Sequence, residues 1–171
     1  MRMQSENDRR YTERRFARQV INHFLPPDFS GSVFDPTAGH GSFYDQYPAS
    51  STRHWSELSM GRDCLDFRQP VDWVITNPPW SAVAYRRVAS HCFEIAESVV
   101  FLVRLDVAVG TYARLADAAR HGQGLRQLIL CSWAQAGFAP RGTTLVVAQW
   151  ERGWRGPTTW LDRIVTPGPL G

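Results

Sequence analysis

Two short stretches of the chain carry residue types that could do chemistry. The first is Asn77-Pro78-Pro79-Trp80, which ends the apolar run in "DWVITNPPW". Proline fixes φ and pushes the residue before it into extended geometry, so these carbonyls cannot fold away into a helix. The Asn77 side-chain oxygen and the Pro78 carbonyl can then accept hydrogen bonds from one amino group, and Trp80 offers a flat face for a base. The second stretch is "VFDPTAGHGSF", an acidic residue at a strand end followed by Gly-x-Gly and a helix start. Glycines there permit positive φ and close approach of a ligand, and a helix start offers free N–H groups. A nucleotide-like ligand suits such a turn. The pyrophosphate pattern G-x-G-x-x-G is incomplete, because Tyr44 stands three residues after Gly41, which argues against a dinucleotide.

Two carboxylates follow at informative spacing. Glu57 closes the second candidate strand roughly twenty residues beyond the glycine turn, where a carboxylate can accept from ribose hydroxyls. Asp63 is positioned to receive the exocyclic amino group of an adenine, with Asp66 as the substitute. Taken singly each also reads as a surface carboxylate; the joint spacing favours a ligand.

These residues need a frame that brings them to one edge. Short apolar runs at 32–35, 54–58, 73–76, 99–104, 127–131 and 144–150 read as strands, with helices at about 42–47, 83–96 and 111–120. Runs such as "VVFLV" and "LVVAQW" suit strands buried on both faces. The expected fold is therefore α/β, a doubly wound, Rossmann-like and mostly parallel sheet. Ahead of it, residues 9–25 place Phe16, Val20 and Phe24 on one side of a helix and Arg10, Arg14 and Arg18 nearly opposite. The prolines and glycine of "LPPDFSG" end that helix. Residues 151–171 are Gly/Pro-rich and are expected to wrap the surface.

The 171 residues suit one domain with a core of its own, and 43% hydrophobic with 20% charged residues excludes a disordered or fibrous design. No stretch approaches the roughly 18 apolar residues of a membrane span, and "MRMQSENDRR" lacks the apolar segment of a secretory signal, so the cytoplasm is expected. Cys64, Cys92 and Cys131 are odd in number and far apart, which fits reduced, buried thiols. The five histidines lack metal-ligand spacing, and no metal is expected. All 19 basic residues are arginine and the net charge is +3. Arginine suits phosphate contacts through its forked guanidinium; codon bias in a GC-rich genome explains the same usage equally well.

With the motifs in this order, "DPTAGHGSF" followed by "NPPW", the sequence resembles the S-adenosylmethionine-dependent N6-adenine DNA methyltransferases, especially the small phage and prophage type. The resemblance runs from about Tyr11 to Trp150 and includes "GLRQLILCSWAQAGF" and "LVVAQWERGWRGPTTW". It implies a class I methyltransferase fold whose last strand is antiparallel, with S-adenosyl-L-methionine as cofactor. By matching position it implies that Asp35, Thr37, Ala38, Gly39, Gly41 and Phe43 cradle the methionine part, that Glu57 holds the ribose and that Asp63 contacts the adenine. The catalytic tetrapeptide carries over to Asn77, Pro78, Pro79 and Trp80. The chain departs from the family at "YT", which lacks the usual proline of the first cofactor-contacting stretch and leaves a role for Thr12 in doubt. It also departs in having no insertion that could serve as a target-recognition domain.

The residues fit that chemistry. An adenine N6 lone pair is delocalised into the ring, and two acceptors on its hydrogens favour a more tetrahedral, nucleophilic nitrogen. The base must leave the DNA duplex or already be single-stranded, with Trp80 holding it and Phe138 closing from another side, or else anchoring its loop. Cytosine C5 chemistry is excluded, because no cysteine follows a proline as its covalent nucleophile requires. Cytosine N4, RNA adenine N6 and protein glutamine N5 remain alternatives at the same tetrapeptide. DNA would be held by Arg10, Arg14, Arg15 and Arg18, and by Arg141, Arg152 and Arg155 with Trp150 and Trp154, giving low or short sequence specificity. The same arginines also read as a solvated face and the tryptophans as packing.

Overall fold

The computed structural model describes residues 11–140 and 142–164. Arg10 and Arg141 lie outside them. Among the described residues four helices, α1 (Arg14–Phe24), α2 (Ala82–Ile95), α3 (Leu105–Val109) and α4 (Tyr112–Arg120), surround seven strands. The strands are β1 (Ser32–Asp35), β2 (Thr52–Trp55), β3 (Val71–Thr76), β4 (Ala96–Arg104), β5 (Gln123–Cys131), β6 (Leu145–Arg152) and β7 (Thr159–Leu161). They form one sheet in the order β2-β1-β3-β4-β6-β5-β7. β6 runs antiparallel to both β4 and β5, and every other pair is parallel.

The expected architecture is present, with α1 and β5 shifted at their starts, a short α3 added, and three differences that bear on the site and the sheet order. The reversed strand is not the last, because β7 adds to β5 from within the segment expected to wrap the surface. The helix expected at 42–47 is only a 3-10 turn, Tyr44–Gln46. Pro48 forces Tyr47 into an extended conformation, which stops the turn before an α-helix forms. And β2 begins and ends earlier than the run at 54–58, leaving Glu57 beyond the strand, where it caps a second 3-10 turn, Leu58–Met60.

Burial is nearly unbroken along the central strands, as a sheet covered on both faces requires, and successive side chains alternate between two cores. Val74, Val99 and Phe101 pack beneath α2, α3 and α4, whereas Ile75, Val100 and Leu102 pack with α1. α1 starts where Glu13 accepts the Phe16 amide at 2.8 Å as an N-cap, and it buries Phe16, Ala17, Val20 and Ile21. Among the described residues no helix is long and apolar enough to cross a membrane.

Candidate active site

The chain leaves β1 toward β2 on one side and β3 toward β4 on the other, so the carboxyl ends of β1 and β3 meet where the sheet order reverses. Open α/β sheets form their ligand crevice at such a point. Phe34 is in register with Val74, and just past that pair, at the carboxyl ends of the two strands, Asp35 meets Thr76. Thr76 Oγ1 donates to Asp35 Oδ1 at 2.6 Å, and the Thr37 amide donates to the same oxygen at 3.3 Å. The Thr37 hydroxyl lies 2.9 Å from that of Thr76 and donates to the Asn77 carbonyl at 3.2 Å. The glycine-rich turn and the Asn77-Pro78-Pro79-Trp80 turn, separate in sequence, are thereby tied directly together.

Asp35 is 1% exposed. Burial pushes its carboxyl up to about 7 against the opposing pull of the Thr76 and Thr37 hydrogen bonds, and the charge of Glu57 adds to the rise. Asp35 therefore organises the turn from below. Gly39 (φ +54°) and Gly41 (φ +79°) have the left-handed backbone that the sequence predicts for this turn. A Cβ on Gly39 would stand 3.0 Å from the Tyr11 ring, which stacks on His40 with ring centroids 3.7 Å apart. Phe43, expected at the cofactor, is buried in the α1-side core.

Pro36, Thr37, Glu57, Asp63, Leu65 and Pro79 line one cleft of about 130 Å³. The structure thus brings both predicted carboxylates to the Asn77–Trp80 turn. Glu57 already accepts the Gly39 amide at 2.8 Å and, through its other oxygen, the Ser59 amide at 3.0 Å and hydroxyl at 2.6 Å. One Asp63 oxygen accepts the Leu65 amide at 3.0 Å. Each carboxylate retains lone pairs for further donors. Apolar walls bearing two carboxylates and a tethered glycine turn fit a purine nucleoside. The cleft is smaller than the roughly 300–1,000 Å³ of most small-molecule pockets, so a whole cofactor would fill it and extend past its mouth.

Pro78 and Pro79 are buried, and the Asn77 side-chain oxygen is shielded from solvent, where a hydrogen bond is strengthened by the low dielectric. Trp80 donates through Nε1 to the Leu102 carbonyl at 3.3 Å and is met edge-on by Trp133 at 5.8 Å and Phe138 at 5.6 Å. Phe138 is 8% exposed, so it stands as an anchor of its loop and offers little face to a base. Trp133, absent from the sequence-based set, completes this aromatic group and donates through Nε1 to the Thr143 carbonyl at 2.8 Å. Its signal was weak, one tryptophan in a loop sequence with no spacing to a motif.

The expected arginine patches fare differently. Arg14 pairs with Asp45 at 2.9 Å and Arg18 donates to Gln46 at 2.8 Å, so both hold the 3-10 turn after the glycines against α1. The second patch does not form as expected. Trp150 is a core side chain packed on Phe93 and Phe101. Arg152 is turned inward to the carbonyls of Phe93, Glu94, Ala96 and His121, with Glu97 beside it. Trp154 lies under the Arg126 guanidinium, 4.9 Å from its ring centre, and Arg155 donates to the Trp154 carbonyl. The thiols of Cys64 and Cys131 are pushed up to about 12 by burial, which leaves them inert as nucleophiles.

No family model matches the chain, and no curated protein matches it by sequence. Solved structures do. A candidate RNA methyltransferase from Pyrococcus horikoshii is 17% identical with a TM-score of 0.62, over 79% of this chain and 81% of that one. The modification subunit of a candidate type I restriction enzyme from Vibrio vulnificus is 15% identical with a TM-score of 0.62, over 90% of this chain and 46% of its own. Magnesium protoporphyrin IX methyltransferase from Synechocystis, solved with S-adenosylmethionine bound, is 10% identical with a TM-score of 0.57, over 81% and 79%. This chain spans less than half the length of the Vibrio subunit. The shared sheet, with its single reversed strand between β4 and β5, is that of the Rossmann-like class I S-adenosylmethionine-dependent methyltransferases.

Proposed function

We propose that the protein transfers a methyl group from S-adenosyl-L-methionine to the N6 amino group of adenine in DNA. The observation that carries the reading is the Thr37 to Asn77 hydrogen bond, which joins a nucleoside-type cleft to an amino-directed tetrapeptide at one edge of the sheet. When bound, the cofactor supplies an electrophilic sulfonium methyl. Glu57 and Asp63 would hold its ribose and adenine, and the glycine turn its methionine end. Asn77 and Pro78 accept the two N6 hydrogens, raising the nucleophilicity of that nitrogen. Pro79 keeps the carbonyls fixed, and Trp80, locked by Leu102 and its aromatic neighbours, bears the base. Fixed in-line positioning then supplies much of the acceleration without a strong base.

The test is transfer of radiolabelled methyl to duplex DNA, single-stranded DNA, ribosomal RNA and protein extract, beside Asn77→Ala. Label recovered from DNA as N6-methyladenine, and reduced at least about 100-fold in the variant, is the expected result. Label confined to RNA or to protein glutamine would overturn the substrate.

A further inference from the structure

Next to the Asn77–Trp80 turn is a second and larger concavity. α2, α3 and α4 enclose a groove of about 690 Å³, floored by Tyr85, Ala89, Phe93 and Trp150. Ala82 and Val83, two and three residues beyond Trp80, form its near end. Its mouth carries three arginines. Arg86 and Arg87 are exposed and form no ion pair among the described residues. Arg114 lies across from them, donating to the Asp106 carbonyl. The carboxylate that lines the groove, Asp117, is buried and already paired with Arg120. Positive charge therefore rims an apolar floor, Arg87 being shared with the smaller cleft that holds Glu57 and Asp63. Two large side chains stand out beside it with no cover, Val83 at 76% and Tyr112 at 86% exposure.

We propose that this groove receives the DNA strand flanking the target adenine, with phosphates on Arg86 and Arg87 and an unstacked neighbouring base against the apolar wall. The inference rests on the proposed DNA reaction. Two properties favour this occupant. Charge and surface are complementary to a nucleotide strand, whose anionic backbone and apolar base faces need guanidinium groups beside a dry wall. Position agrees as well: extruding a base strips its neighbours of stacking, and the groove starts two residues from the side chain that would hold the extruded base. The α1 arginines are less suited, since Arg14 and Arg18 are engaged with Asp45 and Gln46.

Val83 gives a clean test because it is exposed in the first turn of α2, where an added carboxylate favours the helix and the variant should fold. Binding of labelled single-stranded DNA and RNA oligonucleotides would be titrated by fluorescence polarisation over a range of salt, alongside methyl transfer. Val83→Asp is expected to weaken DNA binding about tenfold and Val83→Lys to tighten it, opposite signs that loss of packing would not produce. Arg86→Gln should weaken it too and flatten the salt dependence by about 0.7 in log–log slope. Affinity for S-adenosylmethionine should stay unchanged in all three. DNA binding indifferent to both Val83 variants overturns the groove, whatever the wild type methylates, as a protein segment occupying it would produce. A response with RNA alone overturns DNA as the occupant. A wild-type protein that methylates no DNA, while the Val83 variants still shift DNA binding in opposite senses, keeps the groove and overturns the proposed reaction.

Discussion

The Thr37 hydroxyl donates to the Asn77 carbonyl at 3.2 Å while lying 2.9 Å from the Thr76 hydroxyl. One side chain from the glycine-rich turn thus ties that turn to the tetrapeptide. A positioning role of this kind makes kcat sensitive where KM is not.

Thr37→Val should accordingly lower kcat for methyl transfer about tenfold with little change in KM for DNA, and Thr37→Ser should restore it. The lost hydrogen bonds should also cost about 1 kcal/mol of stability. Steady-state kinetics on the two variants decide the matter. A rise in KM alone would mean that Thr37 only binds substrate or cofactor.

Asp35 predicts a pH signature. Its pKa is raised from 3.8 to about 7, chiefly by burial, so between those values the folded protein holds a proton that the unfolded chain has released. The stabilising contribution is complete below pH 3.8, falls by about 1.4 kcal/mol per pH unit, and is gone above about 7. Denaturant unfolding of the wild type and Asp35→Asn should show the wild-type advantage shrinking as pH rises through that window. An advantage that is flat or grows with pH would mean that Asp35 is buried as a carboxylate.

Phe138 and Trp133 hold Trp80 from two sides. Phe138→Ala should cost about 3 kcal/mol of stability, as other large-to-small core changes do, and should loosen Trp80. Phe138→Leu should keep most of the stability. Thermal unfolding with tryptophan fluorescence measures both effects. A stable Phe138→Ala protein with impaired DNA binding would instead make Phe138 a base-contacting residue.

Arg152 is expected to be structural. Its guanidinium serves carbonyls at the α2–β4 junction and at His121, groups left without those bonds on truncation. Arg152→Ala should destabilise the fold by about 2 kcal/mol, and Arg152→Lys should rescue it poorly because an ammonium lacks the fork. DNA affinity measured well below the melting temperature should not change. A stable variant with weakened DNA binding would return Arg152 to the phosphate patch.

Much of the candidate site was legible because its residues act through their own backbone. Gly39 and Gly41 take positive φ, and Pro78 and Pro79 fix the chain after a buried strand, whatever packs around them. The unbroken apolar runs of β3 and β4 and the single amphipathic face of α1 are likewise local properties, and those elements overlap the stretches where the pattern puts them. Contacts between distant segments were not legible. The bond from Thr37 to Asn77, the cleft that joins Glu57 and Asp63 to Pro79, and the pairing of β7 with β5 all depend on which strands become neighbours. The arginines show this most plainly: nothing in their local sequence separates Arg152, drawn inward by carbonyls, from Arg86, left at the mouth of a groove. An arginine's role is set by the groups that folding brings to its guanidinium, and those come from elsewhere in the chain.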